Sequence, residues 1–267
     1  MIGLLAAASA ICTPFPDADV LWADKSTRWV IVGEDHSTNE QPEAFSELVC
    51  GASEHRRVLV ALEQPVSEQA SIDAYIRSNG GPQAKQKFLK SQIWLNGFKD
   101  GRSSTAQFQL FDNLRRLYKA GRIAGVFAFQ PVTDIESAGE YEKVMGLNVR
   151  KLSEGGNLVL ALVGNVHAMR TPVSFSGPAY MPMAGTLPKN GVVSALLVSN
   201  GGDQWACTSP TECGVSMVGK PEEAQSKKAI RNERPSSPYS VKIYLGSQAT
   251  ASPPEIPQAS DGSAPPR

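Results

Sequence analysis

Two short stretches carry the same arrangement, Gly33-Glu34-Asp35-His36 and Gly164-Asn165-Val166-His167, in each of which a histidine follows a glycine by three positions. The chain has only 3 histidines in 267 residues, so the placing of two of them in one motif carries information. One such motif recurs by chance. The pair gains weight because each copy follows a run of β-branched and aliphatic residues, WVIV and LVLALV, that reads as a strand. Alternate side chains of an extended segment share a face, so Glu34 and His36 point one way and Asp35 the other. Glu63, at the end of RVLVALE, adds a carboxylate at a third strand end. Two imidazoles and one or two carboxylates at one place can bind a divalent metal, with Glu34, His36, Glu63 and His167 as ligands. They can equally activate a water by general-base catalysis, a carboxylate orienting the imidazole. Asn165 stands where it can orient His167 or donate to a substrate oxygen. The third histidine, His55 in ASEHRR, reads as a solvated residue on a charged loop.

The elements that must hold these residues are hydrophobic runs over 28–34, 57–64, 123–130, 158–165, 192–199 and 241–246. Their apolar character is continuous rather than alternating, as in strands covered on both faces. Helical patterns lie between them. NEQPEAFSELVCGAS has Asn39 to cap it and Gly51 to stop it, SSTAQFQLFDNLRRLYKAG has a serine cap and Gly121, and DIESAGEYEKVMGLNVRKLSEGG has Asp134 and Gly155-Gly156. This alternation predicts an α/β three-layer sandwich: a central, mostly parallel sheet with helices on both faces, and a small hairpin and loop region between about 200 and 239. In such sheets ligands bind beyond the carboxyl ends of the strands, where both histidines fall. The glycines are expected to let the chain turn as it leaves the sheet.

A single domain over 20–246 is expected, followed by a disordered Pro/Ser-rich tail over 247–267. The 26 basic and 26 acidic residues balance, which excludes recruitment of nucleic acid or an anionic membrane by a long-range field. Residues 1–12 begin MIGLLAAASAI, with Ala8-Ser9-Ala10 in the small-x-small pattern of a signal-peptidase site. They lack a basic start and are too short to span a bilayer, which takes about 20 apolar residues. An exported protein, periplasmic or secreted, is expected. In that setting Cys207 and Cys213, flanking a tight SPTE loop, should close a disulfide, whereas Cys50 reads as a small core residue. GVSMVGKP resembles a phosphate-binding loop but has proline where a hydroxyl is needed, and no G-x-S-x-G supplies a serine nucleophile. SFSGPAYMPMAGTLP, with Tyr180, Met181 and Met183, reads as irregular chain exposed over the sheet.

The segments VGEDH, ALEQP and VGNVH together resemble the superfamily of the TIKI and TraB proteins, erythromycin esterases, the C-terminal region of Pasteurella toxin and the ChaN haem-binding lipoproteins. GEDHSTNEQP, DGRSS and GNVHAM are most similar to exported bacterial members with GExHGTxExP, DGRSS and GNxHA, a likeness spanning roughly residues 28 to 215. Ser37 departs from the pattern, since relatives often carry glycine there. The resemblance implies an α/β fold with its site at the strand ends. By motif, Glu34, His36, Glu63 and His167 would be catalytic or metal-ligating, with a divalent ion, haem or no cofactor. Arg102 would position a small-molecule or peptide substrate, and Asn165 and Ser103 would bind it, although Ser103 and Ser104 read more readily as helix caps. The leading expectation is an exported ester or amide hydrolase. The alternatives are a ChaN-like haem- or metal-uptake protein, with Tyr180 or Met181 as ligand, and a non-catalytic interaction protein.

Overall fold

The computed structural model describes residues 11–95, 101–132, 135–175, 177–207 and 212–255. The apolar runs become strands β1 (Trp29–Glu34), β2 (Val58–Pro65), β3 (Ile123–Gln130), β4 (Leu158–Gly164) and β5 (Val192–Val198). Four more follow, β6 (Gly202–Cys207), β7 (Cys213–Val218), β8 (Ala229–Asn232) and β9 (Val241–Tyr244). Seven of them form one sheet in the order β3-β2-β4-β1-β5-β9-β8, parallel except for β8, while β6 and β7 make a separate antiparallel hairpin. Continuous hydrophobicity marks the centre of the sheet: Val30, Ile31 and Val32 of β1 are wholly buried, each worth about 1.5–3 kcal/mol relative to exposure.

Helices cover both faces. On one lie α1 (Glu40–His55), α2 (Gln69–Ile76), α3 (Pro82–Leu89), α4 (Gln92–Leu95) and α5 (Thr105–Lys119), around a core that includes Phe45, Phe88 and Phe111. On the other lie α6 (Ala138–Leu152) and α7 (Met183–Thr186), packed through Met145, Val149 and Met183. The core reaches N-terminal of residue 20, because Phe15 and Ala18 are buried against the first face beside Leu21 and Trp22.

Several local readings change. Asn39 occupies the N-cap position of α1, but its amide donates to Thr250 Oγ1 and to the Ala251 carbonyl instead of capping. Gly51 does not stop α1, which continues to His55, since Gly51 and Ala52 are themselves buried; packing overrides the weak propensity of glycine. His55 is therefore a helix-terminal residue, about half exposed, with Nε2 3.4 Å from Asp19 Oδ1. Ser137 caps α6 by accepting from the Glu140 amide, while Asp134 lies outside the described residues. Cys50 is buried as expected but also forms a disulfide with Cys12, and the expected Cys207–Cys213 bridge closes the β6–β7 hairpin. Met183 is buried at the start of α7, not exposed.

Residues 247–255, expected to be disordered, are packed along the carboxyl-end rim of the sheet. Ala249 and Ser252 are buried, and main-chain bonds run from this segment to Gly201, Ser37, Asn39, Ser103 and Thr105. Main-chain pairing, with Ser252 fully buried, holds a segment whose composition alone gives no core. Among the described residues no helix is long and apolar enough to cross a membrane.

Candidate functional site

Sheet register sets the site. Glu34, at the end of β1, lies level with Gly164 at the end of β4, and Leu62, just before Glu63, lies level with Leu162. The residues that follow these strands therefore emerge on one rim. His36 turns back onto its own strand, its Nδ1 donating to Glu34 Oε1 at 2.9 Å. His167, in the short helical turn Asn165–Ala168, gives its Nδ1 to Glu142 Oε1 of α6 at 2.7 Å. In both pairs the carboxylate fixes the tautomer and leaves Nε2 directed at Glu63: His36 Nε2 is 3.8 Å from Oε2 and His167 Nε2 is 3.6 Å from Oε1. Arg102 Nη1 stands 3.2 Å from Glu63 Oε1, and the Gly164 amide donates to Oε2 at 2.7 Å.

Glu34, Glu63 and Glu142 are buried, whereas each histidine is 22% exposed, so solvent reaches the cluster at the imidazoles. Charges balance when both histidines are protonated, with three carboxylates facing two imidazoliums and a guanidinium. Burial alone would depress the His36 pKa. The hydrogen bond and charge of Glu34, followed by the charge of Glu63, overcome it and raise the value to about 9. Burial opposes the charged form of His167 too, yet Glu142 and Glu63 hold its pKa above the ordinary range. Glu63 is pulled down despite its burial, by His167, His36, Arg102 and the Gly164 amide in that order. Burial raises Glu34, with His36 pulling the other way; one proton is shared within that pair and resides on the imidazole.

The motif glycines serve close approach, not a reversed turn, for neither Gly33 nor Gly164 has a positive φ. A Cβ on Gly164 would stand 3.0 Å from His36 Nε2, and one on Gly33 would stand 3.0 Å from Asn165 Cα. The left-handed residue is Ser37, at φ 65°, the position where the resembled proteins often have glycine. Gly101 lies against it so closely that a Cβ there would come within 2.2 Å of Ser37 N and Oγ. The loops bearing His36 and Arg102 are thus in direct contact.

Asp35 and Asn165 are near the cluster but face away from it: Asn165 Nδ2 donates to Asp35 Oδ1 at 2.8 Å, and Tyr239 donates to the Asn165 carbonyl. Both line a cavity of about 590 Å³ that is also lined by residues of β5, β8 and β9, among them Leu196, Arg231 and Lys242. Asn165 thus orients the loop, with no hydrogen bond to His167. Ser104 caps α5 by accepting from the Gln107 amide; Ser103 is buried, its carbonyl accepting from the Glu255 amide. Tyr180 pairs through its backbone with Val173, half-buried.

Sequence reasoning missed Glu142. It stands on the buried stripe of α6 with Met145, Gly146 and Val149. An acid at helical spacing on an apolar face is the signal that would have found it. Its second oxygen accepts from the Met183 amide at 2.7 Å. Tyr141, its neighbour, accepts from Gln130 Nε2 and lies with its ring centroid 6.4 Å from that of His167.

A divalent cation would need His36 Nε2, His167 Nε2 and Glu63, with ligand distances of about 2.0–2.2 Å. Glu63 already receives Arg102 and the Gly164 amide, so the guanidinium stands on the oxygen the metal would take. The donor set accepts a cation only with Arg102 displaced. As built, the arrangement suits proton transfer.

No family model matches the chain, and no curated protein matches its sequence. Solved structures match its fold. An erythromycin esterase, EreC, in its open conformation gives a TM-score of 0.65 at 12% identity, over 87% of this chain and 94% of that one. A succinoglycan biosynthesis protein gives 0.58 at 8% identity, over 92% and 94%. The type III effector HopBA1 gives 0.52 at 11% identity, over 90% and 99%. The α/β architecture is shared with an esterase and with proteins described in other terms, and fold alone does not carry function across them.

Proposed function

We propose that the protein is a hydrolase of ester or amide bonds that uses water directly, with His36 as general base. The observation that carries this reading is the pair of carboxylate-locked imidazoles, Glu34–His36 and Glu142–His167, whose free Nε2 atoms face one carboxylate. The fold shared with an erythromycin esterase supports it.

Water beside His36 loses a proton to Nε2 as its oxygen bonds to the substrate carbonyl carbon. Glu34 holds the tautomer and stabilises the imidazolium that results. The carbonyl oxygen becomes an oxyanion, met by the Nε2–H of protonated His167 and by Arg102, whose charge Glu63 holds in place. Collapse breaks the bond to the leaving group, which takes the proton that His36 drew from the water. The two dyads have distinct tasks, a base that must give up its resting proton and an acid that keeps it. Because His36 is protonated at neutral pH when no substrate is bound, activity is expected to rise towards pH 9. The two disulfides support a place of action in an oxidising compartment, the periplasm or the exterior.

The test is turnover of generic esters and peptides by the purified protein, with and without chelator. Hydrolysis that survives chelation and is lost in His36→Ala supports the proposal. Full turnover by His36→Ala rejects it, and turnover abolished by chelator and restored by a divalent ion rejects the metal-free form.

A further inference from the structure

The C-terminal segment 247–255 touches both loops that carry the site. On one side the Ser252 amide donates to the Ser37 carbonyl at 2.8 Å, Thr38 bridges to Ala251, and the Asn39 amide donates to the Thr250 carbonyl. On the other side the Thr105 amide donates to the Pro253 carbonyl, the Glu255 amide to the Ser103 carbonyl, and Ser104 bridges to Pro254. Ser252 joins the two sides within one residue: its hydroxyl also accepts from the Ala106 amide at 2.9 Å, in the first turn of α5, and the residue is wholly buried. The segment is anchored beyond this bridge as well. The Thr250 amide and hydroxyl donate to the Glu40 carboxylate, Ala249 exchanges main-chain bonds with Gly201 and Asp203, and Lys85 Nζ lies 2.7 Å from Glu255 Oε1.

We propose that residues 247–255 form a positioning strap which sets the spacing of His36 and Arg102 about Glu63, with Ser252 as its central positioning residue. The loops need such a tie. The His36 loop passes through the left-handed Ser37, a conformation that costs a non-glycine residue free energy and persists only when its surroundings hold it. The Ser37 carbonyl, fixed by that turn, accepts from Ser252 and from the Trp205 amide of the hairpin. The Arg102 loop follows Gly101, which has φ 105° and sits directly against Ser37. Two touching loops, one of them strained at Ser37, share their hydrogen bonds with a third segment, so a shift of the strap moves both relative to Glu63, a residue anchored separately in the sheet through the Gly164 amide. Displacements of about 1 Å at a reacting centre cost on the order of 100-fold in rate. The strap acts through His36 and Arg102 and touches no substrate itself.

The kinetic arm rests on the hydrolase reading, and the spectroscopic arm does not. The three histidines make imidazole NMR titration assignable. In the full chain, Ser252→Pro, which removes both the amide that donates to Ser37 and the hydroxyl that accepts from Ala106, is expected to keep the native circular dichroism, to lower the His36 pKa from about 9 towards its ordinary value, and to reduce kcat about tenfold with little change in KM. Ser252→Ala, which keeps the amide, should show a smaller change. A chain ending at Gly246 should show the same changes more strongly. If that shortened chain does not fold, Ser252→Pro decides alone. A folded Ser252→Pro protein with an unaltered His36 titration overturns the strap proposal, whether or not its stability changes. A moved titration in a protein that hydrolyses no ester upholds the strap and counts against the hydrolase reading.

Discussion

The two carboxylate–imidazole pairs differ in how they are made. Glu34 and His36 are two residues apart at one strand end, so the dyad is almost wholly local. Glu142 and His167 are 25 residues apart and meet only because α6 packs across the end of β4. They differ in completion too. Both oxygens of Glu142 have partners, His167 Nδ1 and the Met183 amide, whereas Glu34 Oε2 is buried without a hydrogen bond among the described residues. One pair is saturated and the other is left short of a donor. In the proposed hydrolase this difference supports a division of roles, with the unsaturated pair as the base whose protonation state must change and the saturated pair as the fixed acid.

The largest expected effect is kinetic. His36→Ala should lower kcat/KM by on the order of 10³–10⁴, and His167→Ala by on the order of 10², measured with an activated ester at pH 8. Equal losses would erase the division of labour. Next comes the carboxylate between the dyads. Glu63→Ala removes the carboxylate that faces both Nε2 atoms and Arg102 and should destabilise the fold by about 3–5 kcal/mol in urea denaturation at pH 7. A change below about 1 kcal/mol would show that the cations are not held charged around it.

The saturated pair should matter more for stability. Glu142→Ala strands the Met183 amide and is expected to cost about 1–3 kcal/mol, more than Glu34→Ala does. The reverse order would contradict the contrast. The most gradual effect is in the pH dependence of stability. His36 binds its proton more tightly folded than unfolded, so this contribution is complete below the ordinary histidine pKa, about 6.5, and is lost as pH rises through about 9. Stability should fall across that window by at most about 1.4 kcal/mol per pH unit, and Glu34→Gln should flatten the slope.

What the sequence makes legible follows the same division. Unbroken apolar runs such as Trp29–Val32 and Leu158–Val163 place the central strands within about a residue, because burial on both faces leaves no other pattern. Glu34, His36, Glu63 and His167 are readable as strand-end residues, and register brings them together. Glu142 is not, for it belongs to a helix whose rotation against the sheet no local pattern specifies. The short helices α2, α3 and α4 are equally hidden, being too brief to repeat an amphipathic pattern and held by packing around Tyr75, Phe88 and Trp94. The strap at 247–255 reads as disordered because its order comes from main-chain bonds to loops distant in sequence. The glycine to serine departure at 37 becomes intelligible only with its positive φ in view.

The central claim, that His36 is a base poised by Glu34 while His167 is an acid held by Glu142, is tested most directly by the pH dependence of kcat/KM for ester hydrolysis in the wild type and in Glu34→Gln. The limb should rise towards pH 9 in the wild type and move to lower pH in Glu34→Gln. A limb that stays in place when Glu34 loses its charge would contradict it.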